Sequence, residues 1–252
     1  MTNIILCGCS GRMGEAVTKL VNERSDAQIV AGVDVNPASQ VSGFPIFQTI
    51  SEFSGKADVI VDFSHHTTLP SLIQYATSTS TPLVVCTTGH TDEELAIMRK
   101  ASEQVAVFFS GNMSIGINLL IELCKKASET LGTAFDVEII EKHHNKKLDA
   151  PSGTALMLAD SIKGTREATE YVYDRHSVRR QRSTEEVGIH SVRGGTIVGE
   201  HEVIFAGNNE MITISHSAMS REIFAAGAVR AAAFLSGKPA GMYNMSKVIN
   251  GK

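Results

Sequence analysis

Apolar runs and amphipathic stretches alternate along the first half of the chain. Ile4-Ile5-Leu6-Cys7 is a short apolar run closed by Gly8, which predicts the first strand of a parallel sheet. Met13, Val17, Leu20 and Val21 then recur at helical spacing. Ile29 to Val33 and Ala57 to Phe63 read as buried strands, with the turn-rich stretch Pro37 to Phe47 between them. Leu69 to Ala76 predicts a helix and Pro82 to Cys86 a strand. Thr91 opens a further helix with a capping box, because Glu94 lies three residues on. Val105 to Phe109 is a fifth strand. This alternation predicts an α/β fold whose N-terminal domain, residues 1–113, is Rossmann-like and doubly wound.

The pattern then changes. Ile115 to Leu131 is a long amphipathic helix, Asp136 to Glu141 a strand, His143 to Asp149 a polar segment and Ser152 to Ile162 a helix. Strands near Val187–Val192, Thr196–Phe205 and Met211–Ser217 follow without helices between them, which predicts a mixed or antiparallel sheet. Residues 114–217 are therefore expected to form a second, α+β domain. The alanine-rich helix Arg221 to Leu235 is expected to pack back on the first domain, so that residues 218–252 complete it.

Composition narrows the function classes. With 42% hydrophobic and 20% charged residues among 252, the chain is expected to fold. A net charge of -4 leaves no dense positive field for nucleic acid. No stretch reaches membrane-spanning length, and the start lacks the basic-then-apolar pattern of a secretory signal. The cysteines Cys7, Cys9, Cys86 and Cys124 form no C-x-x-C pair and read as buried thiols of a reducing compartment. A cytoplasmic protein without membrane or nucleic-acid partners is the expectation.

Candidate chemistry begins directly after the first strand, at Gly8-Cys9-Ser10-Gly11-Arg12-Met13-Gly14. Glycines permit a tight turn and close backbone approach to a pyrophosphate, and the following helix offers N–H groups to its charge. The spacing is G-x-x-G-x-x-G rather than G-x-G-x-x-G. Asp34 stands twenty residues after Gly14, at the end of the second strand, where an acid can accept hydrogen bonds from an adenosine ribose. Its charge disfavours the extra phosphate of NADP, and Val35 beside it cannot pair with that phosphate. NADH is therefore the expected cofactor, with NADPH possible through Arg12.

The second informative stretch runs from Glu141 to Thr154, joining a strand to a helix. It gathers His143, His144 and Lys147 beside a helix start at Ser152, Gly153 and Thr154, a combination suited to a carboxylate. Asp149 is placed to orient Lys147 or to act as an ordinary turn acid. Zinc is not expected, because adjacent histidines diverge and no cysteine stands at ligand spacing. His65, His66 and His90 could meet only through the fold.

Here the chain resembles the 4-hydroxy-tetrahydrodipicolinate reductases, also called dihydrodipicolinate reductases. The matching pieces are GCSGRMG at the start, CTTG at Cys86–Gly89, FFSGNMSIGIN at Phe108–Asn118 and EKHHNKKLDAPSGTA at Glu141–Ala155. IHSVRGGTIVGEHEVIF at Ile189–Phe205 and HSAMSREIFAAGAVRAA near the end also match. The resemblance implies NAD(P)H-dependent reduction of a cyclic dicarboxylate to tetrahydrodipicolinate, on the route to diaminopimelate and lysine. It implies a homotetramer whose second domain binds substrate and builds the oligomer. It implies His143 as proton donor, His144 as a substrate contact, Lys147 in substrate binding and proton transfer, and Ser152, Gly153 and Thr154 around a substrate carboxylate. Cys86, Thr87, Thr88 and Gly89, with Ser110 and Met113, match the nicotinamide side. Departures are Cys86 where the family often has glycine, and the segment Ser64-His65-His66, where the family often has a proline near the second histidine. Arg175 to Arg182, with four arginines, reads as an exposed loop or subunit contact. A reductase of another small cyclic or unsaturated acid, or a non-catalytic dinucleotide sensor, would share the glycine turn but leave the His–Lys stretch without a task.

Overall fold

The computed structural model describes residues 1–36 and 43–251. The chain opens with β1 (Thr2–Cys7), α1 (Arg12–Asn22), β2 (Ala27–Val33), β3 (Ile46–Phe47), β4 (Val59–Asp62), α2 (Leu69–Thr79), β5 (Leu83–Val85), α3 (Asp92–Ala101) and β6 (Ala106–Phe109). It continues with α4 (Ile115–Leu131), β7 (Asp136–His143), α5 (Gly153–Lys163), β8 (Glu170–Val172), β9 (Glu186–Arg193), β10 (Gly199–Ala206) and β11 (Met211–Ala218). It ends with α6 (Glu222–Leu235), β12 (Gly241–Tyr243) and α7 (Met245–Asn250). Two units result: Met1–Ser114 with Glu222–Lys252, and Ile115–Arg221. The second passage between them falls after Arg221, because β11 stays paired to β10 as far as Ala218.

In the first unit β1, β4 and β5 are apolar runs buried on both faces, as a helix-covered parallel sheet requires. The sheet order is β12-β6-β5-β4-β1-β2-β3, and the pairs are parallel. The order reverses between β1 and β4. At such a switch point the helices leave for opposite faces and open a crevice at the carboxyl ends of the strands. Ile5, Ile60, Leu72, Leu83, Met98 and Val107 form the core beside that crevice. Helix α6 buries Ala225, Ala228, Val229 and Ala232, and packs on α1 and on β4, β5 and β6. Its small side chains let the helix axis come close to the sheet.

The capping box at the start of α3 is present: Thr91 Oγ1 accepts from the Glu94 N–H, and Glu94 accepts from the Thr91 N–H. The stretch Pro37 to Phe47 is turn only in part, since Ile46 and Phe47 pair with Gly32 and Val33; residues 37–42 lie outside the described residues. Strands β3, β8 and β12 are too short to give a periodic signal.

The second unit is a mixed five-stranded sheet of order β11-β10-β7-β9-β8. β10 is antiparallel to β11 and β7, whereas β7 and β8 run parallel to β9. β9 and β10 follow one another in the chain but are separated by β7, so their connection crosses the end of β7. That connection is held there by Gly194 N–H to the His143 carbonyl at 2.9 Å and by Asn145 N–H to the Gly195 carbonyl at 3.2 Å. One face of the sheet, through Val137, Ile139, Val203 and Phe205, packs on Ile117, Leu120 and Cys124 of α4 and on Leu158 and Ile162 of α5. Among the described residues no helix is long and apolar enough to cross a membrane.

Candidate active site

In the first unit Gly8 adopts φ +74°, and a Cβ there would lie 2.5 Å from the Phe63 carbonyl oxygen. Only glycine lets the β1 end and the β4 end approach so closely. A Cβ at Gly14 would collide with the Gly8 and Cys9 carbonyls, so the helix start is folded tightly under the turn. Ser10 donates its N–H to Asp34 Oδ2 at 3.0 Å, and Asn36 donates to Oδ1 at 3.0 Å. Arg12 is exposed at the start of α1, Cys9 is buried, and Val35 is exposed.

Two cavities border this turn. One of about 900 Å³ is lined by Gly8, Gly11, Asp34, Val35, Phe63 and Tyr75 among others. The other, about 430 Å³, is lined by Met13, Cys86, Thr87, Thr88, Ser110 and Met113 among others. The glycine-lined space at the switch point has room for an extended ligand, with Asp34 bordering the larger cavity and Thr88 and Met113 the smaller. Beneath the second cavity Asp62 is fully buried and accepts from Thr87 Oγ1 at 2.8 Å and from the Ser64 N–H at 2.9 Å. Burial raises its pKa, and the bonds from Ser64 and Thr87 oppose that rise. Burial also pushes the thiols of Cys7 and Cys86 well up, which keeps them protonated.

His65 and His66 come together with ring centroids 4.3 Å apart, and the His66 and His90 rings lie 6.3 Å apart. Glu94 accepts from His66 Nδ1 at 2.9 Å. Among the described residues no group of three or more His, Cys, Asp or Glu side chains is arranged to hold a metal ion.

The second unit's site follows from strand alternation. Val137, Ile139 and Glu141 are the buried positions of β7, and His143 is the next residue of that row. The sheet register sets Ser191 and His201 beside Glu141, and Arg193 beside His143. A charge thus sits where an apolar residue is expected, and it is fully satisfied. Arg193 donates Nη1 to Glu141 Oε2 and Nη2 to Oε1, each at 2.7 Å. His143 Nδ1–H donates to Oε2 at 2.6 Å, and the Ser152 N–H to Oε1 at 3.1 Å. Burial raises the pKa of Glu141, but the bonds from Arg193, His143 and Ser191 outweigh it and hold the group at about 2.

Ser152 caps α5, its Oγ accepting from the Ala155 N–H at 3.1 Å and meeting His201 Nε2 at 3.1 Å. Gly153 and Thr154 form the first turn of that helix. Burial, with a smaller contribution from the neighbouring His143, pushes His201 down to about 4, so its ring is neutral at physiological pH. The His143 and His201 rings stand 5.2 Å apart, nearly perpendicular. Gly199 leaves room for His143, since a Cβ there would lie 3.1 Å from Nε2. Lys147 Nζ pairs with Asp149 Oδ1 at 2.9 Å. Burial lowers the His144 pKa, with Arg221, His143, Lys147 and Arg193 adding to the effect.

His143, Ser152, Gly153 and Thr154 therefore meet at one end of the sheet, and Lys147 and His144 stand on the loop that joins them. Sequence reasoning overlooked Glu141, Arg193 and His201. An available signal was the glutamate in a core-facing position of a strand. The Arg175–Arg182 stretch is a loop exposed from Arg175 to Gln181, as expected, and its arginines pair with acidic residues of the sheet. Arg175 pairs with Glu138 at 2.5 Å and with Glu186 at 2.6 Å, Arg182 with Glu138 at 2.6 Å, and Arg180 with Glu186 at 3.1 Å.

Comparison with known proteins gives a consistent result. Residues 2–113 match the family model "Dihydrodipicolinate reductase, N-terminus", and residues 116–249 match "Dihydrodipicolinate reductase, C-terminus". The 4-hydroxy-tetrahydrodipicolinate reductase of Caldanaerobacter subterraneus subsp. tengcongensis is 50% identical over 250 residues, covering 99% of this chain and 98% of the relative. That of Clostridium tetani is 51% identical over 251 residues, with coverage of 99% and 98%. Among solved structures, a dipicolinate-bound dihydrodipicolinate reductase from Paenisporosarcina sp. TG-14 superposes with a TM-score of 0.78 at 24% identity, covering 97% of each chain.

Proposed function

The chain belongs to the dihydrodipicolinate reductase family, and from that premise we infer how its own residues perform the family's reaction. The protein is an NAD(P)H-dependent oxidoreductase that reduces 4-hydroxy-tetrahydrodipicolinate to tetrahydrodipicolinate in diaminopimelate and lysine biosynthesis. The bound nicotinamide supplies a hydride to an electron-poor carbon of the substrate ring. The product lacks the 4-hydroxyl, so water leaves, and the charge brought by the hydride must be met by a proton.

His143 delivers that proton from Nε2, the nitrogen opposite its bond to Glu141. Lys147 neutralises a substrate carboxylate and the charge that develops on the ring. Ser152, Gly153 and Thr154 receive a carboxylate at the amino end of α5, and His144 is a further substrate contact. A substrate with two carboxylates needs both a cation and a helix start. The observation that carries this reading is that Glu141 bonds His143 on one oxygen and the Ser152 N–H on the other, so the imidazole and the helix start belong to one hydrogen-bonded group.

In the first unit Gly8, Cys9, Ser10, Gly11, Arg12, Met13 and Gly14 hold the pyrophosphate side and Asp34 the adenosine ribose. Cys86, Thr87, Thr88, Gly89, Ser110 and Met113 border the nicotinamide. NADH is the preferred cofactor, because the Asp34 carboxylate repels a ribose phosphate and its neighbour Val35, 72% exposed, offers no cation. NADPH use is weaker and draws on Arg12. The working form is a homotetramer. Ile140, Val192 and Ile204 alternate with core residues, and so belong to the sheet face opposite α4 and α5, where Val192 is 43% exposed. Four free, buried cysteines accord with a cytoplasmic protein.

The test is oxidation of NADH and of NADPH with the cyclic substrate generated by a coupled synthase. Substrate-dependent oxidation, faster with NADH at low cofactor concentration, is the expected result. Tight NADH binding without turnover would overturn it.

A further inference from the structure

We infer that Glu141 and Arg193 are positioning residues for His143: the guanidinium clamps the carboxylate, and the clamped carboxylate holds the imidazole with Nε2 outward. This rests on the reading that His143 handles the proton.

Every group around the carboxylate is a donor. Oε1 receives Arg193 Nη2 and the Ser152 N–H, and Oε2 receives Arg193 Nη1 and His143 Nδ1. An ionised carboxylate only accepts, so the nitrogen facing it must carry a hydrogen. The neutral ring is therefore the Nδ1–H tautomer, and Nε2 is the atom that gains and gives a proton. The clamp also prevents drift. A carboxylate held at two points by a planar fork has one orientation, and the imidazole bonded to it inherits that orientation.

Arg193 has a further bond, from Nη2 to the Asp149 carbonyl at 2.7 Å. Asp149 in turn pairs with Lys147. One guanidinium thus fixes both the strand end that carries His143 and the loop that carries Lys147. Its charge serves a purpose as well. A buried carboxylate alone beside a histidine would hold the imidazolium too firmly for it to release a proton. Arg193 takes up part of that field, so Glu141 orients the ring while the proton stays transferable. Among the described residues, the other titratable groups about the ring are His201 on β10 and His144 and Lys147 on the loop, whereas Lys142 belongs to the opposite face of β7 and pairs with Glu200.

Glu141→Gln, Arg193→Lys and His143→Ala in the full chain test this, with kcat and kcat/KM measured across pH in the presence of NADH. In Glu141→Gln kcat should fall about 100-fold, and the basic limb of kcat/KM should move to lower pH, with the KM for NADH unchanged. In Arg193→Lys, which keeps the charge but loses the fork, kcat should fall about tenfold with the limb in place. Wild-type kcat and pH profile in Glu141→Gln, while His143→Ala is impaired, would overturn the inference and leave the role of His143 standing. Wild-type turnover in His143→Ala would instead overturn that role, and this inference with it. A loss of thermal stability in Arg193→Lys without loss of kcat would reduce the clamp to a structural tie and overturn it. Nitrogen-15 NMR of the wild-type histidines requires no variant: a neutral His143 protonated on Nδ1 is expected, and one protonated on Nε2 would overturn the inference even where a variant fails to fold.

Discussion

Ser10 donates its backbone N–H to Oδ2 of Asp34 at 3.0 Å, so the glycine turn and the acid at the end of β2 form one hydrogen-bonded unit. Replacing Asp34 therefore acts on both. In Asp34→Ala the KM for NADH should rise roughly tenfold, the effect of losing a charge-assisted bond of about 1.5 kcal/mol. The KM for NADPH should rise less, because a repulsion is removed along with the bond. Steady-state kinetics with both cofactors checks this, and equal loss with both would contradict the assigned preference.

His143→Ala and Lys147→Ala should separate in kinetics. Loss of a positioned proton donor lowers turnover about 10²–10⁴-fold, so His143→Ala should reduce kcat and kcat/KM together. Lys147→Ala should raise the KM for the cyclic substrate, because the carboxylate it neutralises is present in ground state and transition state alike, and should lower kcat, because it also meets the charge that develops on the ring. Near-normal kinetics in both variants would contradict their roles.

Most elements were legible in the sequence because their periodicity is strong. Ile115 to Leu131 forms the helix its spacing predicts, and Thr91 caps α3 with Glu94 as its spacing indicates. The glycine turn and Asp34 were readable because strand, turn and acid stand at meaningful distances along the chain. The surroundings of His143 were less so. Arg193 lies fifty residues beyond it and His201 on yet another strand, and β7 inserts between β9 and β10. Only sheet order brings them together, and no local pattern encodes that order. The pairing of Arg175, Arg180 and Arg182 with Glu138 and Glu186 was hidden for the same reason.

Acid should weaken the second unit in two stages. His201 has a folded pKa of about 4, below its ordinary 6.5, so between those values the unfolded chain binds the proton and stability falls as pH falls. Glu141, at about 2 against an ordinary 4.5, gives the same sign in a lower window: its contribution is full above 4.5 and is lost as pH drops toward 2. Thermal melting across pH 7 to 3 should show a falling Tm. In His201→Asn the fall between 6.5 and 4 should be shallower than in the wild type. An unchanged slope would show that His201 does not titrate on unfolding.

Ser152→Ala should cost stability and substrate affinity together. The hydroxyl caps α5, and loss of such a cap costs about 1 kcal/mol, which should appear as a lower denaturation midpoint. If the same helix start holds a substrate carboxylate, as proposed, the KM for the cyclic substrate should rise while the KM for NADH stays fixed. A changed KM for NADH alone would contradict the placement of the substrate site.

The most direct measurement follows the hydride itself. With NADH deuterated on the transferred face of C4, the tetrahydrodipicolinate formed by the enzyme should carry one deuterium at a ring carbon, and His143→Ala should form the same labelled product more slowly. Product without deuterium, formed at the wild-type rate, would contradict hydride transfer to the substrate held beside His143.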